Sequence, residues 1–349
     1  MKEKKRSIPL ESDDLKPIRS LHDLFQTAKG FYRSRILLVA NRLNLFTILG
    51  EAKLGSQEIS RRLNSDPRAT RILLDALVAM GLLSKFKDVY AVRQLVKRYL
   101  SRGSSECKAD LLGHYDYMWG NWLHLEEGVM GKPAPRVDLL SDPHINRTFI
   151  NAMYILHNEQ AVRYANLLNL KRVRKMMDLG GGGGSFSIAF TKKNPNLRSI
   201  IVDLPNTVRI TEKIVKSQRL SSRITFQNVD FFNDSGWFCG DDFDLIFISY
   251  VLHCERPEKN RFLLRKAYNS LKPGGQILIN DYPLSISRTK PAGSAIFTVN
   301  LFLSTEGGNT YTQEEIKSWL EETGFVKVDS LNSYLSTGFK RIDFKPKKY

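Results

Sequence analysis

The stretch Lys175-Met-Met-Asp-Leu-Gly-Gly-Gly-Gly-Gly-Ser185 decides the fold of the C-terminal half of this chain. Residues 175–179 read as a strand, and the five glycines after it open a helix. A glycine-rich turn here lets the backbone approach a ligand closely and leaves N–H groups free at a helix N-terminus. The next strand, Arg198–Val202, ends at Asp203, 25 residues beyond Asp178. That offset suits an acid that accepts from both hydroxyls of a ribose.

Downstream, strands and helices alternate. A helix runs toward Asn194-Pro195, and another follows Pro205. Strand Thr225–Val229 ends at Asp230, and strand Asp244–Ser249 ends near His253. A helix spans about Lys259–Leu271. Lys272-Pro-Gly-Gly275 reads as a turn before strand Gln276–Asn280, which ends at Asp281. Thr312 caps a helix that closes at Gly324, and strands Val326–Leu331 and Gly338–Phe344 read as an antiparallel hairpin. This βαβ alternation predicts an α/β domain, a Rossmann-like doubly wound parallel sheet.

Upstream of residue 175 helical periodicity dominates. Arg35–Gly50 reads as a helix, and Ser56 as the N-cap of a short second one. Asp66-Pro67 starts a third, with apolar residues at helical spacing up to Met80 and Gly81 at its end. Lys85–Val92 reads as a hairpin. Three helices and a wing make a mostly helical winged-helix domain. Its third helix offers Arg68, Arg71 and Asp75, a poor set for reading DNA bases, so protein contact is the better reading. The predicted boundaries are 1–105 for this domain, 106–174 for a helical connector, and 175–349 for the nucleotide-type domain. The connector carries Tyr115, Tyr117, Trp119, Trp122, Phe149 and Tyr154, aromatics that at a domain junction often line a pocket. Lys132-Pro-Ala-Pro135 within it reads as a loop.

The 349 residues are 42% hydrophobic and 26% charged, a globular composition that excludes disorder as the main state. No apolar run approaches the roughly 18 residues of a membrane span, and the basic N-terminus lacks the apolar core of a secretory signal. Three cysteines, Cys107, Cys239 and Cys254, form no CxxC pair, which argues against disulfides and structural zinc. A reducing, cytoplasmic location is the expectation, with no metal. Lys plus Arg is 53 against 36 Asp plus Glu, a net charge of +17. The cations are spread along the chain, so the expectation is a basic surface without a nucleic-acid or membrane partner.

Two cofactor classes fit the glycine loop, dinucleotides and S-adenosylmethionine (SAM). Asp178 directly before the glycines suits the cationic amino-acid end of SAM and would sit badly beside a pyrophosphate. Asp230 can accept from an adenine amine, and Phe231 can stack on the ring. The strand that begins the nucleotide domain also starts late, after a full helical domain. His253 lies just past a strand end, on the edge where doubly wound sheets bind ligands, and its ordinary pKa near 6.5 suits general-base work. Asp281 is the nearest candidate to orient it. His114, His124 and His157 lie on the aromatic connector. Cys254 beside His253 reads as a small packed residue.

Taken together, Asp178–Gly184, Val202-Asp203-Leu204-Pro205, Asp230-Phe231-Phe232, the segment ending in His253, and Leu271-Lys-Pro-Gly-Gly-Gln-Ile-Leu-Ile279 resemble the caffeic-acid and acetylserotonin type of SAM-dependent O-methyltransferase. Order and spacing match over nearly the whole chain, including a winged-helix dimerisation domain. The resemblance implies SAM as cofactor, held by Gly180, Gly182, Asp203, Asp230 and Phe231, with Ser249 where the family often has a lysine. It implies His253 as catalytic base beside Asp281, and a homodimer acting on a small-molecule acceptor. The candidate acceptor-binding residues are Phe149, Met153, His157 and Asn300. Two segments depart from the family. His253-Cys254-Glu255 replaces His-Asp-Trp, and Thr310 stands where a second acid flanks the histidine, with Glu306 out of register. The function expected is methyl transfer to a hydroxyl of a small, planar molecule. The alternatives are C- or N-methylation, a SAM-binding homologue without transfer, and a SAM-responsive DNA-binding regulator.

Overall fold

The computed structural model describes residues 17–133, 135–232 and 242–341, which form two compact units divided between residues 120 and 121. In the first unit, α1 (Leu21–Arg42) is capped by Ser20, whose hydroxyl accepts from the Asp23 amide. The predicted helix over Arg35–Gly50 is instead the end of α1 plus α2 (Leu45–Leu49), broken at Asn44 in the left-handed region with φ 55°. The apolar period runs unbroken across this corner because both helices face one core, containing Ala40, Leu45, Phe46 and Leu49.

Strand β1 (Leu54–Gly55) precedes α3 (Ser56–Leu63). Gly55, and not Ser56, holds the cap position; the Ser56 hydroxyl donates to Asp88 at 2.9 Å instead. Asp66 caps α4 (Pro67–Ala79) as predicted, accepting from the Ala69 amide at 2.7 Å. The wing is β2 (Leu83–Phe86) antiparallel to β3 (Val89–Val92), which also pairs with β1. Helices α5 (Gln94–Leu100) and α6 (Ala109–Trp122) follow, the last two residues of α6 belonging to the second unit.

The second unit continues with α7 (Leu125–Val129) and α8 (Pro143–Leu167), then alternates β4 (Lys175–Leu179), α9 (Ser185–Lys193), β5 (Arg198–Asp203), α10 (Pro205–Ser217), β6 (Ile224–Asn228), β7 (Phe243–Ser249), α11 (Pro257–Ser270) and β8 (Leu271–Asn280). It closes with α12 (Ala292–Ser304), α13 (Gln313–Thr323), β9 (Val326–Ser330) and β10 (Leu335–Phe339). The sheet order is β6-β5-β4-β7-β8-β10-β9, with β10 antiparallel to both its neighbours and the other pairings parallel. The winding direction reverses between β4 and β7, the switch point where an open α/β sheet leaves a crevice for ligands.

Alternate residues of β7 explain why this sheet is covered on both faces. Ile246 and Ile248 pack with Leu263, Leu264 and Trp319 of α11 and α13, while Leu245 and Phe247 pack with Tyr164, Phe186 and Phe190 of α8 and α9. A strand buried on both sides must read as a continuous apolar run, and Phe243-Asp-Leu-Ile-Phe-Ile248 nearly does.

One further reading needs correction. Lys272-Pro-Gly-Gly275 is not a turn outside the sheet; it is a bulged stretch inside β8, where pairing with β7 jumps from Leu271 to Gln276. Gly274 there donates its amide to Lys340. Helix α12 went unread, because Phe297, Thr298 and Val299 at its centre are strand formers. Of the last predicted strand, residues 342–344 lie outside the described residues, as does Cys239. No helix among the described residues is long and apolar enough to cross a membrane.

Phe247 is fully buried, with ring centroids 4.8 Å from Phe186 and 5.3 Å from Phe190. Phe247→Ala is therefore expected to cost about 3–5 kcal/mol in urea unfolding. Ile296→Ala, on an exposed face of α12, should stay within about 1 kcal/mol.

Candidate active site

The carboxyl ends of β4 and β5 carry two acids, Asp178 buried and Asp203 half-buried. Asp178 accepts from the Ser187 hydroxyl at 2.6 Å through Oδ2, and its Oδ1 has no partner. Asp203 accepts from the Gly182 amide through Oδ2 and from the Leu204 amide through Oδ1, both at 2.8 Å, so it ties the glycine loop to the end of β5. The loop needs glycine at Gly180, which has φ 69° and where a Cβ would collide with Val251. At Gly182, with φ 50°, the space beside the backbone is open.

Burial pushes the Asp178 carboxyl up to about 7; the Ser187 hydrogen bond opposes this and the Asp203 charge adds to it. Burial likewise pushes Asp203 up to about 6, against the amides of Gly182 and Leu204. No salt bridge neutralises either acid among the described residues. An unpartnered buried carboxylate oxygen beside an open glycine loop fits a cationic ligand with hydrogen-bonding hydroxyls. Phe231 adjoins this loop, its ring in van der Waals range of a Cβ built on Gly180. Asp230, half-buried, accepts from the Phe232 amide at 3.1 Å.

The ends of β7 and β8 bring His253 and Asp281 together. His253 sits in a single helical turn, Leu252–Cys254, and its Nδ1 lies 2.6 Å from Asp281 Oδ1. Asp281 also accepts from the backbone amides of His253 and Tyr282. Both side chains are buried. Burial alone would lower the His253 pKa, but the Asp281 charge, then Cys254, outweigh it and hold the imidazole well above its ordinary value. Phe297 stands edge-on to the ring at 5.4 Å, with Tyr282 at 5.8 Å and Tyr250 at 6.2 Å.

The loop after α12 is fastened to this turn. The Asn309 amide donates to the His253 carbonyl, and the Tyr311 hydroxyl to the Glu255 carbonyl. Thr310 is fully buried and its hydroxyl pairs with that of Thr298, while Glu306 is exposed. No carboxylate occupies the position of Thr310.

Phe149, Met153 and His157 recur every fourth residue along α8 and so share one face of it. His157 is buried and stacks on Tyr250 at 4.2 Å. Asn300 is also buried, one turn from Phe297, but its Oδ1 accepts from Trp122 Nε1 at 3.1 Å, which makes it a brace for the end of α6. Ser249 is buried and accepts from Asn280 through its hydroxyl. It belongs to a chain of hydrogen bonds running through Asn280 and Tyr164 to Gln160, which accepts from the Tyr250 hydroxyl at 2.9 Å. Sequence reasoning missed Tyr250, Gln160, Asn280, Tyr282 and Phe297. The available signal was position alone, since Tyr250 and Asn280 close the same two strands as His253 and Asp281.

With this geometry in place, two family descriptions match the chain: an O-methyltransferase domain over residues 136–326 and an O-methyltransferase dimerisation domain over 25–102. The chain belongs to the O-methyltransferase family, whose methyl donor is SAM. It is 28% identical over 323 residues to the tetracenomycin polyketide synthesis 8-O-methyl transferase TcmO of Streptomyces glaucescens, covering 89% of this chain and 93% of that one. It is 28% identical over 326 residues to the L-tyrosine C(3)-methyltransferase of Streptomyces lavendulae, covering 88% and 85%. A solved O-methyltransferase family protein from Burkholderia thailandensis superposes with a TM-score of 0.82 at 25% identity, covering 94% of this chain and 100% of that one. These likenesses agree with the Rossmann-like methyltransferase fold and the SAM expected from the sequence.

The charge state of Asp178 has a consequence for stability. Its folded pKa, about 7, lies above the ordinary 3.8, so its contribution to stability is intact below pH 4 and is lost as pH rises through 7. Asp178→Asn should therefore raise the melting temperature of the ligand-free protein by a few degrees at pH 8 and by much less at pH 4. Calorimetry showing equal gains at both pH values would refute the buried charge.

Proposed function

We propose that this chain is a SAM-dependent O-methyltransferase, a homodimer, that methylates a hydroxyl of a small planar acceptor with His253 as general base. The observation that carries the reading is the buried His253–Asp281 contact at the switch-point edge of the sheet, beside the glycine loop and its two uncompensated acids.

Bound SAM supplies a methyl carbon already activated by its sulfonium charge. The residues of this chain bind, align and manage one proton. Asp178 answers the cationic amino-acid end, with Gly180 and Gly182 allowing close approach of that part. Asp203 accepts from the ribose hydroxyls, and its oxygens keep lone pairs free for this after serving Gly182 and Leu204. Asp230 and Phe231 hold the adenine. Ser249, engaged by Asn280, supports this edge from below. His253 takes the acceptor proton, and Asp281 orients the ring and stabilises its charged form. Phe149 and Met153 offer an apolar face for the acceptor, and Asn300 supports the wall behind it.

The dimer reading rests on the matched dimerisation domain and on Leu21, Leu24, Phe25, Phe31 and Tyr32, all half or more exposed along α1. Such a surface is too apolar to face water as a contiguous patch. Light scattering at micromolar concentration is expected to give the dimer mass, and a monomer there would reject the assignment.

C-methylation is the second reading, favoured by the C(3)-methyltransferase relative. Locating the new methyl group by NMR of the product separates it from O-methylation.

A base must be neutral to act. Because Asp281 holds His253 above its ordinary pKa, the transfer rate should rise with pH to a midpoint above 6.5. His253→Ala should lower the rate by roughly 10²–10⁴ while leaving SAM affinity nearly unchanged. Asp281→Asn removes the larger raising influence and leaves burial opposed only by Cys254, so its midpoint should move to lower pH. The acceptor must have a hydroxyl pKa well above assay pH. A full-rate His253→Ala enzyme on such an acceptor, or an unmoved midpoint in Asp281→Asn, would contradict the base assignment.

A further inference from the structure

Asn260 lies near the start of α11, seven residues beyond His253, and is fully buried. Asparagine is a weak helix former and is mostly found exposed, so its place here needs a cause. Its side-chain nitrogen donates to the Leu252 carbonyl at 2.9 Å and to the Glu255 carbonyl at 3.2 Å. Its Oδ1 has no partner among the described residues. Chemistry fixes which way this amide points, because only its NH2 group can serve two carbonyls. An unpaired buried oxygen is costly. The fold forgoes a hydrogen bond on one side of the amide and gains two on the other.

The two carbonyls bracket the turn that carries His253. Leu252 precedes the histidine, and Glu255 closes the turn, its own amide donating back to Leu252. This turn is only three residues long, so no longer helix stiffens it. The Asn309 amide holds the His253 carbonyl, and the Tyr311 hydroxyl shares the Glu255 carbonyl with Asn260. A two-point contact depends on the pitch of the turn. The His253 amide and the ring Nδ1 both reach Asp281, at 3.2 and 2.6 Å. Rotating the turn moves amide and ring together and lengthens that contact.

Within the methyltransferase reading above, on which this step rests, we infer that Asn260 is a positioning residue for the base. By clamping the Leu252 and Glu255 carbonyls it sets the pitch of the turn. That pitch holds Nδ1 against Asp281 and leaves Nε2 as the nitrogen free to take a proton. Two groups raise the pKa of the ring, Asp281 first and then Cys254, while burial lowers it. Tyr250 and Tyr282 also face the ring, and His157 lies beyond Tyr250. None of these groups belongs to the clamp. A loosened turn weakens the Asp281 contact, so the pKa of the ring should fall.

The test reads the ring itself and needs no acceptor. The full-length protein carries isotope-labelled histidine and is titrated by NMR, with the His253 signal assigned by its loss in His253→Ala. Wild type is expected to show a His253 pKa above 6.5 and a strongly deshielded Nδ1 proton. Asn260→Leu is similar in size and has neither the donors nor the orphan oxygen. It should lower that pKa by about one unit or more and lose the deshielded proton. Asn260→Ser cannot reach both carbonyls; it should move both readouts the same way and serves if the leucine variant does not fold. Phe247→Ala loses packing on the opposite face of the sheet and should leave both readouts unchanged. An unmoved pKa with the deshielded proton retained, an equal change in Phe247→Ala, or a wild type lacking the raised pKa would overturn the inference. If both readouts move while the His253→Ala enzyme still transfers methyl at full rate, the clamp stands and the base reading falls.

Discussion

Carboxylates buried at the carboxyl edge of the parallel sheet are the constraint on which the second unit depends. Asp178, Asp203 and Asp281 each stand within a residue of a strand end, Asp178 and Asp281 buried and Asp203 half-buried. Burying such a charge is expensive unless something compensates it. Asp281 is compensated within the fold by the His253 ring and two backbone amides. Among the described residues, Asp178 and Asp203 receive hydroxyls and backbone amides and no salt bridge. This asymmetry divides the crevice in chemical terms: one end lacks a positive partner, and the other already contains one. A sulfonium cofactor and a proton-yielding acceptor match these two ends in that order.

The same edge carries much of the backbone strain that bears on the site. Gly180, Gly182 and Gly184 take left-handed conformations at the end of β4, where the missing side chains make such φ values cheap. Tyr250 takes one at the end of β7, where it is not cheap, and is fastened by side chains from α8 and the segment after β8 and by the Asn280 carbonyl. In the proposed reading, glycine is used where the cofactor comes close, and a fastened aromatic where a wall stands. Helix α8 ties the two regions together. Near its middle, Ile150 and Tyr154 press against Gly183, so that a Cβ there would clash, and one turn later His157 and Gln160 grip Tyr250.

Much of this was legible in the sequence, for physical reasons. Strands buried on both faces must be apolar, so β4 and β7 stood out, and the acids closing β4, β5 and β8 stood out against them. Asp66 with Pro67, and Thr312 with Glu315, are local signals whose hydrogen bonds need no tertiary partner, and both helix starts were read correctly. Signals that depend on distant partners were lost. Ser56 looked like a cap, but Gly55 pairs with Val89 and takes that place. Lys272-Pro-Gly-Gly275 looked like a turn, but Gly274 and Gly275 bond to Lys340 and the strand runs on. Of the aromatic wall around His253, nothing local distinguishes Phe297 or Tyr250 from ordinary core residues.

Thr310 shows how the remaining balance of charge is set. With a single acid beside it, protonated His253 and Asp281 sum to no net charge in their buried pocket. A second carboxylate at position 310 would leave that pocket negative. It would hold the histidine protonated to still higher pH and repel an acceptor oxygen as that oxygen gives up its proton. The Thr298–Thr310 hydroxyl pair removes this burden while satisfying its own polar atoms. In the proposed reaction, the base then draws on Asp281 alone for its orientation. The three hydrogen bonds that hold the Asp281 carboxylate become the contacts on which the proton transfer turns.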